Sequence, residues 1–336
     1  MLRRSRAMFK QQSVFSLPKH FMKLLLAFFR LVRWQNLAFI AITQLLFYFS
    51  LVQPLYAKGV SFDFGKQHFL LLMLASVLIA AAGYIINDYF DLNIDRVNKP
   101  EKNEIDRTIK RRWAIVQHIV LSLAGILISV YIDLTTRTFW LGISNFICVM
   151  LLFGYSISLK KKLLIGNILI SALTAWVIIV AFLCYYRTMF CAGCDPAFYE
   201  VYVHRFIRIA ILYAGFAFII SLIREVVKDM EDMEGDARYG CRTMPIVWGI
   251  PASKMFVAVW LVVLISIICV VQVYVLQFGW WISAAYSILL IIVPLVWIIF
   301  KLRSAQSARD YHRLSQAIKA VMLAGILSML IFRIYS

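Results

Sequence analysis

Acidic residues are scarce in this chain of 336, with 17 Asp and Glu against 35 Lys and Arg. Residues 1–33 hold no acid at all, yet carry Arg3, Arg4, Arg6, Lys10, Lys19, Lys23, Arg30 and Arg33. No small-residue cleavage site follows an early apolar stretch, so a secretory signal is not expected. Cysteine is sparse too, at six residues. The single paired motif, Cys191-Ala192-Gly193-Cys194, supplies too few ligands for a structural zinc site and reads as a local disulfide or two free thiols. No Asp-x-Asp-x-Asp-Gly loop with a closing Glu is present, which argues against an EF-hand.

Hydrocarbon is what the chain has in excess. Apolar residues make up 62% of it and the mean hydropathy is +0.82, where a soluble domain uses roughly 45–50% apolar residues. No single core absorbs that much apolar surface, so lipid must be the solvent for much of it. In a soluble chain the formal charge of +18 would point to nucleic acid. Here the basic residues flank membrane spans, and nucleic acid is not an expected partner.

Nine apolar runs approach the ~20 residues a bilayer requires. They are placed at 35–56, 67–87, 113–134, 138–157, 163–186, 205–226, 254–276, 279–300 and 316–334. The expected fold is therefore all-α, a polytopic bundle of nine transmembrane helices. With the N-terminus inside, cytosolic segments carry 28 of the 35 Lys and Arg, and the positive-inside rule makes that the expected orientation. Residues 1–33 read as a basic interfacial segment and 34–336 as the intramembrane domain. Pro294 is expected to kink the eighth span.

The few acids are not spread evenly. Asp88, Asp91, Asp95, Glu101, Glu104 and Asp106 fall in the segment after the second run, and Glu225, Asp229, Glu231, Asp232, Glu234 and Asp236 after the sixth. Asp88, Asp91 and Asp95 are spaced i, i+3, i+7, which returns to one helical face, and Asp229, Asp232 and Asp236 repeat that spacing. Unpaired at membrane depth, each carboxylate would cost roughly 2.5–3.5 kcal/mol, so a wet cavity or bound cations must receive them. Two carboxylate arrays on one face suit Mg2+, which takes carboxylate oxygens together with substrate phosphate oxygens. Glu101, Glu104 and Asp106 lie in a mixed-charge run and read as solvated, as do Asp133 and Asp195 on the other face.

Asn87-Asp88-Tyr89-Phe90-Asp91-Leu92-Asn93-Ile94-Asp95 resembles the Asn-Asp-x-x-Asp-x-x-x-Asp motif of the UbiA superfamily of intramembrane prenyltransferases. Arg224 to Asp236 resembles that superfamily's second aspartate motif, in a form most similar to its geranylgeranylglyceryl phosphate geranylgeranyltransferase branch. Arg33-Trp34-Gln35-Asn36, Tyr155-Ser156, Lys160-Lys161, Gly166-Asn167 and Arg242-Thr243-Met244-Pro245 are weaker echoes. The resemblance implies a helical bundle with a cavity opening near the cytosolic face, a prenyl diphosphate donor and Mg2+. Asn87, Asp91 and Asp95 would hold one metal and Asp229, Asp232 and Asp236 the other, with Asp88 beside them. Lys228 stands where the first motif has Asn87, so it is expected on phosphate rather than metal.

Ionising an allylic diphosphate leaves an anion to neutralise, for which Lys160, Lys161, Arg224 and Lys228 are candidates, with Tyr155 nearby in the motif set. The allylic cation needs a dry, aromatic surface, and Tyr84, Tyr155 and Trp176 are candidates for it. The acceptor is lipophilic: a prenylglyceryl phosphate, with an aromatic quinone precursor as the alternative. A cation transporter is disfavoured because the acids lie at span ends, not mid-span. A phosphotransferase of CDP-activated alcohols would need an Asp-Gly-x-x-Ala-Arg pattern that is absent. The expected location is the inner membrane of a bacterial or archaeal cell, with no obligatory protein partner.

Overall fold

A computed structural model describes residues 19–98, 104–105, 108–190 and 196–335. Cys191, Cys194, Asp195, Glu101, Asp106 and the basic residues before Lys19 lie outside the described residues. An amphipathic helix, α1 (Lys19–Leu31), precedes the bundle and buries Ala27 and Leu31 against Ala81, Ile85 and Leu92. It leaves Leu26 and Phe29 outward with Lys23 and Arg30, as an interfacial helix requires.

Eight helices among the described residues are long and apolar enough to cross a membrane. In order they are α2 (Trp34–Ala57), α3 (Lys66–Asn98), α4 (Arg111–Thr136), α6 (Ile165–Thr188), α7 (Pro196–Glu231), α10 (Gly249–Leu276), α11 (Trp281–Ser304) and α12 (Ala308–Ile334). Between α4 and α6 stands α5 (Leu141–Ile157), and after α7 come the short α8 (Met233–Arg238) and α9 (Met244–Val247). The fold is thus all-α and polytopic, apart from a two-residue ribbon in which β1 (Ser61–Phe62) pairs antiparallel with β2 (Met189–Phe190). Helices satisfy their backbone groups internally, which is why apolar runs of this length take that form in lipid.

The expected fourth span is shorter than its apolar run. α5 has 17 residues and rises ~25 Å, less than the ~30 Å hydrocarbon layer. Thr138 and Trp140, counted in that run, instead lie in a loop built on Asp133. That carboxylate is buried, not solvated as expected. It accepts from Thr138 Oγ1 (2.6 Å) and from the backbone N–H of Trp140, Leu141 and Gly142, the last at 2.7 Å. The unpaired donors at the start of a helix attract an anion in this way.

Glu104 also departs from its expected solvated state. It is 9% exposed, accepts from Thr108 Oγ1 and pairs with Arg30 of α1 at 3.1 Å. Pro294 does perturb its span, through the five-residue π-helical stretch Ile288–Ile292 just before it. A similar stretch, Tyr48–Val52, precedes Pro54 in α2. A proline gives no N–H to the carbonyl four residues back, and a wider turn absorbs the mismatch.

The core runs the length of the bundle. Phe47, Phe69, Tyr185 and Phe206 fill the half nearer the ribbon, and Val226, Val257, Leu261, Leu295 and Ile318 fill the space between α7, α10, α11 and α12. Outward faces stay apolar: Val270 of α10 is 69% exposed, the state of a side chain that meets lipid. Cys148 and Cys184 are buried packers, whereas Cys269 faces outward.

Candidate active site

Helix length places the first acidic motif. α3 has 33 residues, ~50 Å of rise, so it outruns the ~30 Å hydrocarbon layer by several turns. Asp88, Asp91 and Asp95 ride on that extension and not in the expected loop. No Gly or Pro falls between Tyr84 and Asn98 to stop the helix, and Pro100 follows its end. α7 is longer still, at 36 residues, and carries Glu225 and Asp229 in its last turns. The second motif is not one continuous helix: Asp232 sits at the break between α7 and α8, and Asp236 is on α8.

The two motifs are tied together by a residue outside both patterns. Asn98, the last residue of α3, donates Nδ2 to the Asp232 carbonyl (3.0 Å) and accepts the Gly235 N–H on Oδ1 (2.8 Å). Any Cβ at position 235 would collide with the Asn98 amide, which is why a glycine stands there. Asn98 was legible in principle, because it lies three residues after Asp95 on the same helical face. Replacing Asn98 with Ala should lower turnover about tenfold or more, since a misplaced catalytic geometry costs on that order. The protein should still extract as a folded monodisperse species. Unchanged turnover on a purified sample would show that the bridge does not position the site.

Each acid meets a specific partner. Asn87 Nδ2 donates to Asp91 Oδ2 at 2.9 Å, and Lys160 Nζ bridges Asn87 Oδ1 (3.2 Å) and Asp91 Oδ1 (2.5 Å). Lys160 is only 11% exposed, so little water screens this pair. Arg33 pairs with Asp88 at 2.6 Å and holds its guanidinium 5.2 Å from the centre of the Tyr84 ring. Asn167, at the start of α6, donates to Asp229 at 2.8 Å. Glu225, absent from the expected site set, pairs with Arg224 (3.0 Å) and Lys228 (3.6 Å). Tyr155 at the end of α5 lies within electrostatic reach of Glu225, Asp229 and Asp91, joining both motifs.

The lysines come in on the α5–α6 connection, where Leu159–Lys161 form a single 3-10 turn. A Cβ on Gly166 would stand 2.7 Å from Lys160 Cα, so the glycine lets the turn lie directly on the start of α6. Leu164 adopts φ 57, a strained backbone state in the same connection. The Arg242 N–H donates to the Lys161 carbonyl at 2.8 Å. Burial pushes the neighbouring Cys241 thiol up to about 11, with Asp236 and Asp91 adding to the rise and Lys161 and Lys160 opposing it. The Cys241 N–H donates to the Asp236 carbonyl, so this backbone links the second motif to the lysine turn. Trp176 is elsewhere: it packs edge-on against Trp140, next to the Asp133 cap.

Among the described residues no group of three or more acids, His or Cys converges closely enough to cage a metal. That pattern suits Mg2+, which keeps waters and uses one or two carboxylates plus substrate phosphate in place of an all-protein cage. The donors are hard oxygens, and an ammonium group already lies between Asn87 Oδ1 and Asp91 Oδ1. The residues present therefore fit a divalent, oxygen-seeking cation.

A membrane-embedded helical bundle with two aspartate arrays at one end is the architecture of an intramembrane prenyltransferase. Residues 45–325 match the UbiA prenyltransferase family, and the chain belongs to that family. The digeranylgeranylglyceryl phosphate synthase of Methanosphaera stadtmanae is 26% identical over 253 residues, covering 75% of this chain and 82% of that protein. A solved structure of a digeranylgeranylglyceryl phosphate synthase aligns with 94% of this chain and all of its own, with a TM-score of 0.60 and 22% identity. A UbiA homologue from Archaeoglobus fulgidus, solved with DMAPP and Mg2+, covers 89% of this chain and 99% of its own, with a TM-score of 0.52 and 16% identity. At such identities the likeness of the structures speaks to the fold.

Proposed function

We propose that this chain transfers a geranylgeranyl group from its allylic diphosphate to the glycerol hydroxyl of geranylgeranylglyceryl phosphate, releasing diphosphate, in ether-lipid synthesis. The observation that carries the reading is the Lys160 ammonium held on Asn87 and Asp91, on a turn that the backbone after the second motif grips through Arg242. The relatives named above support the acceptor. Bound Mg2+, held by Asn87, Asp91 and Asp95 and by Asp229, Asp232 and Asp236, would neutralise the diphosphate as its C–O bond breaks.

The remaining work falls to the chain's own groups. Lys160, Lys161 and Lys228 bind the departing diphosphate, which takes the bonding electron pair with it. Asn167 and Asn98 hold Asp229 and the Asp232–Gly235 turn in place. Tyr155 and Tyr84 present aromatic faces to the allylic cation, and the apolar bundle keeps water from it. The acceptor hydroxyl then bonds to C1 of the donor, and its proton leaves with the released diphosphate. The excess of Lys and Arg on motif-side segments supports a cytosolic active site and a cytosolic N-terminus.

The test is an acceptor panel. Purified protein supplied with geranylgeranyl diphosphate and Mg2+ should form a prenyl ether on geranylgeranylglyceryl phosphate, and EDTA should stop it. Product seen by mass spectrometry only on an aromatic quinone precursor would overturn the acceptor while keeping the family chemistry.

A further inference from the structure

A second group of cations gathers where α2, α7 and α12 pack together. Lys319 lies well inside α12, half-buried, with Nζ donating to Asn36 Oδ1 at 2.9 Å and standing 5.3 Å from the Phe39 ring centre. Neither partner is acidic, and no ion pair to Lys319 is formed among the described residues. Arg224 follows Ile223 as Lys319 follows Ile318, and those two isoleucines pack in one core cluster between α7 and α12. Arg224 spends one terminal nitrogen on Glu225, but its Nε is buried with no acceptor among the described residues. On the α3 side, Arg33, three residues before Asn36, lies over the Tyr84 ring. α2, α7 and α12 thus bring Lys319, Arg224 and Asn36 to one place, with unspent donors and surplus positive charge.

An ammonium on a membrane-spanning helix is costly and marks a functional group by default. A buried guanidinium N–H without an acceptor is costly in the same way. Both costs vanish if an anion with several acceptor oxygens binds between them, and a phosphate monoester is such an anion. The diphosphate clamp does not need this group, because Lys160 reaches the first motif from the α5–α6 connection.

We propose that Lys319, Arg224 and Asn36 form a metal-independent site for the phosphate monoester of the acceptor, separate from the Mg2+-diphosphate site. This deepens the proposed function and rests on its phosphate-bearing acceptor. It reassigns Arg224 from the donor to the acceptor. It also supplies a reason for selecting this acceptor: the phosphate anchors one end, so that the glycerol hydroxyl is presented to C1 of the donor.

The test compares wild type with Lys319→Met and Lys319→Arg as full-length protein in detergent. Lys319→Met should raise KM for geranylgeranylglyceryl phosphate about tenfold or more, the loss of one charge-assisted hydrogen bond, with KM for geranylgeranyl diphosphate within about twofold. Lys319→Arg should restore most of the loss. Parallel rises in both KM values, or an unchanged acceptor KM, would overturn the assignment. A second measurement needs neither turnover nor a variant. Wild type in EDTA should bind geranylgeranylglyceryl phosphate at least about tenfold more tightly than geranylgeranylglycerol, and inorganic phosphate should compete. Equal affinities, loss of the phosphate lipid in EDTA or no competition by inorganic phosphate would overturn it. Prenylation of aromatic acceptors only would overturn the function proposed above and this site's acceptor role with it, whereas prenylation of geranylgeranylglyceryl phosphate without phosphate-dependent binding in EDTA would overturn this site alone.

Discussion

Replacing Asp91 with Ala is expected to abolish Mg2+-dependent turnover, by on the order of 10²–10³-fold or more in kcat, as loss of a preorganised charge at a reacting centre does. Asp91 is contacted by both Asn87 and Lys160, so its removal deprives the first motif of a central acceptor. Asp232→Ala should have an effect of the same order for a cleaner reason. Asn98 binds the backbone carbonyl of Asp232, not its carboxylate, so the α3–α8 bridge survives the substitution. The variant then removes a charge and keeps that bridge. Turnover at increasing Mg2+ and thermal midpoints in detergent read the two effects apart. Either variant retaining near wild-type turnover would remove that residue from the metal site.

Lys160→Gln should lower kcat by about 10²-fold, because a buried charge facing the leaving diphosphate is lost while the side chain can still reach Asn87. The Mg2+ dependence should move the other way. In wild type the ammonium occupies Asp91 Oδ1 at 2.5 Å and competes with any cation for it. Without it, half-maximal activity should be reached at lower Mg2+. A lysine that only packed the connection would, when replaced, loosen the site and raise the Mg2+ requirement. The direction of that shift therefore separates a role on diphosphate from a structural one, and an upward shift with unchanged kcat would defeat the assignment.

The spacing of Asp88, Asp91 and Asp95 already implied a helical face, and α3 confirms the helix while moving the motif out of a loop. Hydropathy located the spans but overran at Thr138 to Trp140, because apolar composition cannot reveal that Asp133 caps α5 there. It also began the last span too late. Ser307 and Asp310 form a capping box that starts α12 at Ala308 and carries Lys319 well inside the helix. Glu104 looked solvated because nothing in its neighbourhood in sequence announces a partner as distant as Arg30.

Local pattern alone determined the solvent of this protein, the helical class and the two acidic arrays, since apolar length and i, i+3, i+7 spacing are properties of a single segment. Only the tertiary structure decided which cation meets which acid. Asn98 reaches 137 residues ahead to Gly235, and Lys319 meets Asn36 across 283 residues. Such contacts depend on where long helices lie against one another, and no local signal in the chain encodes that placement.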